Sequence, residues 1–169
     1  DEQCLDDNEP GVSGPMAFDC IEFNDSLCWI DVISEVAFLV MDLESRQQPV
    51  LANRFLNSYL EISGDYTGVR LLDYYLCYRA MVRAKVSILS LQQEQDRQKY
   101  SSFLQEFHRY LSLAEGYSQK RTPGLVIMHG LSASGKSTVS TELLGHTGAV
   151  RIRSDVERKR MFNIDASET

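Results

Sequence analysis

Residues 124–138 read Gly-Leu-Val-Ile-Met-His-Gly-Leu-Ser-Ala-Ser-Gly-Lys-Ser-Thr, and the fold is argued outward from this stretch. Leu125 to Met128 is a short continuous apolar run, the pattern of a strand buried on both faces. Gly130 to Ser137 matches GxxxxGK[ST] with no mismatch. Glycines let the backbone bend so that successive N–H groups face one anion. A helix beginning at Lys136 turns its positive end to the same point. In such a loop Lys136 reaches the β- and γ-phosphates and the Ser137 hydroxyl ligates Mg²⁺, with Thr138 beside it. The candidate nucleotide-binding residues are therefore Gly130, Leu131, Ser132, Ala133, Ser134, Gly135, Lys136, Ser137 and Thr138. The competing reading is an ordinary Gly/Ser-rich turn, which has no use for the Lys-Ser pair. A dinucleotide site is excluded, since it would read GxGxxG. His129 reads as a packing residue rather than a catalytic one.

Downstream, a helix is expected over 136–144, a second strand over Ala149–Ile152, and a further helix opening at Ser154-Asp155. In an open α/β sheet, ligands sit at the carboxyl ends of strands. Asp155 stands at such an end, 19 residues beyond Lys136. A carboxylate there can take the proton of a hydroxyl facing the γ-phosphate, while Arg153 and Arg158 steady phosphate charge. The alternative is structural: Ser154 or Asp155 caps a helix, and Arg158 to Arg160 are solvated. GLSASGKST followed by RIRSDVERKR resembles the small-molecule and polynucleotide kinases of the P-loop class. There an Asp followed three residues later by Arg serves the acceptor. Asp155 and Arg158 match that spacing, so the resemblance makes Asp155 a base, with Lys136 and Arg158 as its catalytic companions.

Upstream, Gly116–Pro123 (GYSQKRTP) is polar, basic and turn-forming, and reads as a linker. Before it the apolar residues recur at helical spacing. Leu27–Leu43 carries Leu27, Ile30, Ile33, Ala37, Val40 and Met41. Pro49 suits the first turn of a second helix bearing Leu51, Phe55, Leu56, Tyr59 and Leu60. Gly64-Asp65 separates it from a long helix over Tyr66–Leu91, with Asp65 as N-cap, and a fourth spans Gln93–Glu115 and is closed by Gly116. Tyr78, Arg79 and Arg83 share one helix face and are expected to pair with acids of the opening block. Short apolar stretches before residue 24 read as a hairpin that delivers Asp19 and Glu22, the latter as a structural residue.

Charge is uneven. The net charge is −7, from 17 bases and 24 acids, yet residues 1–44 hold 12 of the acids and no base. The block is either a docking surface or a solvated acidic face. The acidic balance argues against a nucleic-acid partner. Cys4, Cys20, Cys28 and Cys77 show no CxxC spacing, so neither a zinc site nor a disulfide framework is indicated, and a reducing cytoplasm fits. The apolar runs are too short to span a bilayer, and no signal peptide is visible.

Phe18-Asp-Cys-Ile-Glu-Phe-Asn24, with Trp29-Ile-Asp31 and Ser34-Glu-Val-Ala-Phe38, resembles the C-lobe of aminoglycoside phosphotransferase-like kinases. The resemblance implies that Asp19 is a metal ligand and that Asp31 anchors a helix start. With YRAMVRAKV and the phosphate loop following in order, the chain resembles a bacterial two-part family. That family joins an aminoglycoside phosphotransferase-like domain to a P-loop kinase. It implies an α/β, helix-rich chain: a kinase-like helical C-lobe over residues 1–115, a linker over 116–123, and the first βαβ of an incomplete parallel sheet over 124–169. The family's catalytic loop is not in this sequence, nor are the later P-loop motifs, so the chain is expected to be an internal fragment. The function expected of the intact protein is transfer of the ATP γ-phosphate to a small-molecule hydroxyl, with ATP and Mg²⁺ bound, the fragment by itself being expected to be inactive. A non-catalytic ATP-binding regulatory module and a polynucleotide end kinase are the alternatives.

Overall fold

The computed structural model describes residues 30–93, 97–119, 122–131 and 133–164. The chain divides into two units, 1–30 and 31–169, and the second is the one described. The expected hairpin, Asp19, Glu22, Cys4, Cys20, Cys28 and Ser132 lie outside the described residues.

Among the described residues six helices follow one another: α1 (Val32–Ser45), α2 (Pro49–Ser63), α3 (Val69–Gln93), α4 (Arg97–Ser118), α5 (Lys136–Thr147) and α6 (Ser154–Met161). Asp31 starts α1, its carboxylate accepting from the Ile33 amide at 3.0 Å and from the Tyr75 hydroxyl at 3.2 Å. This satisfies one orphan donor of the first turn. Pro49 opens α2, where a missing N–H costs nothing. Asp65 holds the turn before α3 by accepting from the Gly68 amide at 3.0 Å, so the helix begins three residues later than expected. Helix α4 continues through Gly116 to Ser118. The gain there is local: Tyr117 is buried, and its hydroxyl donates to Glu44.

Helices α3 and α4 pack along each other, α1 lies across both, α2 packs on α1, and α5 packs on α2. The core is one apolar cluster that includes Ile33, Ala37, Met41, Leu56, Leu60, Leu76, Ala80 and Tyr110, with Cys77 at its edge. Arg79 pairs with Glu35 of the acidic block, as expected, and donates to the Ser34 carbonyl at 3.3 Å. Arg83 does not pair with that block: it donates to the Tyr110 hydroxyl and lies over its ring.

The α/β expectation fails. Among the described residues there is no strand and no sheet, so a kinase-like lobe followed by a parallel-sheet βαβ unit is not shown. A strand needs a neighbour to take its N–H and C=O groups. Leu125, Val126 and Ile127 have none and stand 86%, 69% and 79% exposed. The second expected strand has its backbone groups taken by a helix side chain. Asn57 of α2 donates to the Ala149 carbonyl at 3.0 Å and accepts from the Arg151 amide at 2.7 Å. One side-chain amide thus does what an adjacent strand would do for two alternate residues.

Candidate functional site

The phosphate loop bends as its glycines allow, and beyond. Gly135 sits at φ 81° and hands the chain to α5, while Gly130 has φ 153°. Ala133 is left-handed at φ 61°, a conformation that costs a residue with a Cβ about 1–2 kcal/mol. Outliers of this kind cluster at ligand clamps. The Lys136 ammonium folds back over the loop and donates to the Gly130 carbonyl at 2.8 Å and to the Leu131 carbonyl. Its charge is thereby held at the mouth of the 12-residue helix α5, beside the unpaired amides of the first turn. Ala133, Ser134, Gly135, Ser137 and Thr138 are exposed there, and Leu131 is 84% exposed. An exposed loop with a lysine at a helix N-terminus suits a phosphate group and its counter-ion. His129 is exposed, as are its neighbours in 122–131, so it is not the packing residue expected.

Helix α5 is docked on α2 closely. A Cβ on Gly145 would lie 3.1 Å from a Val50 methyl carbon, so a larger residue there would push the helices apart. Asn53 of α2 donates to the Gly145 carbonyl at 3.1 Å. A cleft of about 580 Å³ runs alongside, lined by Arg54, Asn57, Glu61, Thr141, Leu144 and Arg151 among others. A second cleft shares Arg54 and Thr141 and reaches Ser137 and Thr138 of the loop.

The acid expected as a base takes part in a chain of ion pairs. Glu61, near the end of α2, binds two arginines: Arg151 at 3.0 Å and Arg153 at 3.0 Å. Arg153 reaches on to Asp155 at 2.8 Å. The hydrogen bond from Arg153 holds the Asp155 carboxyl below the usual carboxylate value, against a smaller opposing effect of burial. Arg151 also donates to the Thr141 hydroxyl on α5 at 2.8 Å. Lys136 and Asp155 are engaged separately, the first with loop carbonyls and the second with Arg153. Arg158 is exposed on α6.

Asn53, Asn57 and Glu61 were not singled out by sequence reading. Their signal was present: three polar residues at i, i+4 and i+8 form one stripe along α2. Among the described residues, no group of three or more His, Cys, Asp or Glu side chains is placed to hold a metal ion. No helix among them is long and apolar enough to cross a membrane.

Residues 125–169 match the model of a family described as an AAA domain, a P-loop kinase- or ATPase-like family whose members bind nucleotide and usually Mg²⁺. More particularly, the chain is 35% identical over 161 residues to proteins of Mycobacterium bovis and Mycobacterium tuberculosis that carry the name uncharacterized protein. The match covers 95% of this chain and 30% of each relative, so the chain spans about a third of their length. No solved structure matches.

Proposed function

We propose that this chain carries the nucleotide site of an ATP-dependent phosphotransferase acting on a small-molecule hydroxyl. The observation that carries the reading is the loop itself: Lys136 clasped to the Gly130 and Leu131 carbonyls, at the open N-terminus of α5, just after the left-handed residues Ala133 and Gly135. Loop amides of 130–138 and Lys136 would bind the β- and γ-phosphates, and Ser137 would hold Mg²⁺ together with phosphate oxygens. Bound MgATP supplies the phosphoryl group. Asp155, a carboxylate at neutral pH that Arg153 stabilises further, takes the proton from the acceptor hydroxyl, and Arg158 faces the transferred charge.

One observation favours a second reading, an ATP-binding regulatory module. Asp155 is already paired to Arg153, and Arg153 to Glu61, as a structural network would be. The test uses the intact protein that contains this chain, with MgATP and a panel of sugars, nucleosides and aminoglycosides. Lys136→Ala should abolish MgATP binding. Asp155→Asn should bind MgATP as well as the parent and transfer no phosphate. Transfer retained by Asp155→Asn would remove the assigned base. Saturable binding with no phosphorylated product from the intact parent protein would select the regulatory module.

A further inference from the structure

We propose that Glu61 of α2 is a positioning residue for Asp155, acting through Arg153. The inference rests on Asp155 being the base of the proposed transfer.

The geometry has three parts. First, the Arg153 guanidinium is held at both of its terminal nitrogens: Nη1 donates to Glu61 Oε1 at 3.0 Å and Nη2 to Asp155 Oδ2 at 2.8 Å. A planar fork fixed at two points cannot swivel about its long stem, so the carboxylate it holds is fixed too. Second, the anchor is the more buried end. The Glu61 side chain is 26% exposed and that of Asp155 is 56% exposed. Third, residue 61 grips α6 at both ends. Its carboxylate holds the approach to α6 through Arg153, and its backbone carbonyl accepts from Arg160 near the end of α6. Arg160 is in turn paired with Glu157. The other half of the Glu61 carboxylate binds Arg151, which bonds to Thr141 on the phosphate-loop helix. One side chain of α2 therefore ties together the helix that bears the loop and the helix that bears the base.

The charged groups around Asp155 are Arg153, and Glu61 behind it on α2. On its own helix there are Glu157, Arg158, Lys159 and Arg160. Removing the Glu61 charge takes away the carboxylate that competes with Asp155 for Arg153, which moves the carboxyl titration to lower pH, and it frees the guanidinium to swivel, so the pair survives but is no longer held in place. Removing Arg153 takes away the cation and moves the titration to higher pH. The opposite shifts report that both charges reach Asp155; a fall in kcat at unchanged KM for ATP is what a residue that served only to hold the fold would not produce.

The experiment follows the Asp155 carboxyl by NMR of carboxyl-labelled aspartate in the intact protein that contains this chain, the signal being assigned by its loss in Asp155→Asn. Glu61→Gln should move the titration down in pH and Arg153→Gln should move it up. Arg153→Lys should restore part of the parent behaviour. Both Gln variants should lower kcat about 10-fold to 100-fold while leaving KM for ATP within about twofold, as displacement of a reacting group does. If Glu61→Gln does not fold, Arg153→Gln still reads the second link, since the Glu61–Arg151 pair remains. An Asp155 titration unmoved by both substitutions overturns the proposal. Titrations that move as stated, with phosphate transfer intact in Asp155→Asn, uphold the coupling and overturn the assignment of the base. Loss of transfer in Asp155→Asn with unmoved titrations does the reverse.

Discussion

The helical part from Asp31 to Ser118 and the segment from Thr122 to Ile164 are held together by different forces. In the first, α1 to α4 bury an apolar cluster of which Ala37, Met41, Ala52, Leu60 and Ala80 are fully enclosed. In the second, Leu144 and Val156 are the buried apolar side chains among the described residues. What holds that segment is polar: Asn53 to the Gly145 carbonyl, Asn57 to residues 149 and 151, and Glu61 to Arg151 and Arg153. The contrast follows from where backbone hydrogen bonds go. A helix closes its own, so its side chains are left to make a core. An extended stretch must borrow partners, and here α2 lends the Asn57 side chain to residues 149 and 151.

The largest expected effect tests the apolar half. Leu60 is fully buried in α2, and Leu60→Ala should destabilise the unit by about 2–5 kcal/mol through lost burial and the cavity left behind. Chemical denaturation measures it, and a smaller loss would mean that the core carries less of the fold than its burial implies. Next comes the polar half. Asn57→Ala strands the Ala149 carbonyl and the Arg151 amide and should cost about 1–3 kcal/mol. It should also speed hydrogen exchange at the Arg151 amide while leaving α3 amides protected, and uniform loss of protection would erase the distinction between the halves.

A smaller effect is the pH dependence of the polar half. The Asp155 carboxyl lies below its ordinary value of 3.8, chiefly through the Arg153 hydrogen bond. A depressed carboxyl stabilises the fold above its unfolded pKa and stops doing so as pH falls through the folded value. The stability difference between the parent and Asp155→Asn should therefore be steady at neutral pH and close below about pH 4. A difference that widened on acidification would contradict the ion pair. The smallest effect is expected at Ile127, which is 79% exposed. Ile127→Ser should change the stability of this 169-residue chain by no more than about 0.5 kcal/mol. A loss of several times that would show that the run 125–128 belongs to a core, and would break the comparison.

Much of the first half was legible. Of the stripe read as buried, Ile33, Ala37, Val40 and Met41 are buried, Ile30 is 44% exposed, and Leu27 lies outside the described residues. Pro49 marked the start of α2. Arg83 was misread because a face of three basic and aromatic residues does not say which neighbour it meets; the neighbour is Tyr110, 27 positions away. The strands failed for the reason that makes strands hard to read. A run such as Leu125–Met128 records only that the residues are apolar, while pairing depends on what lies beside them. At the site, the loop pattern and Lys136 were legible because every part is consecutive in the chain. Glu61 was not, because its partners are 90 and 92 positions away.

By itself the sequence determined the helices and the phosphate loop, since both arise from interactions over a few residues: i to i+4 hydrogen bonds, a cap, a glycine turn. The tertiary structure alone decided that Asn57 rather than a strand serves residues 149 and 151, and that Glu61 binds Arg153 beside Asp155. Hydrogen bonds and ion pairs form between groups within about 3 Å of each other, and distance in space is what a linear order of residues leaves open.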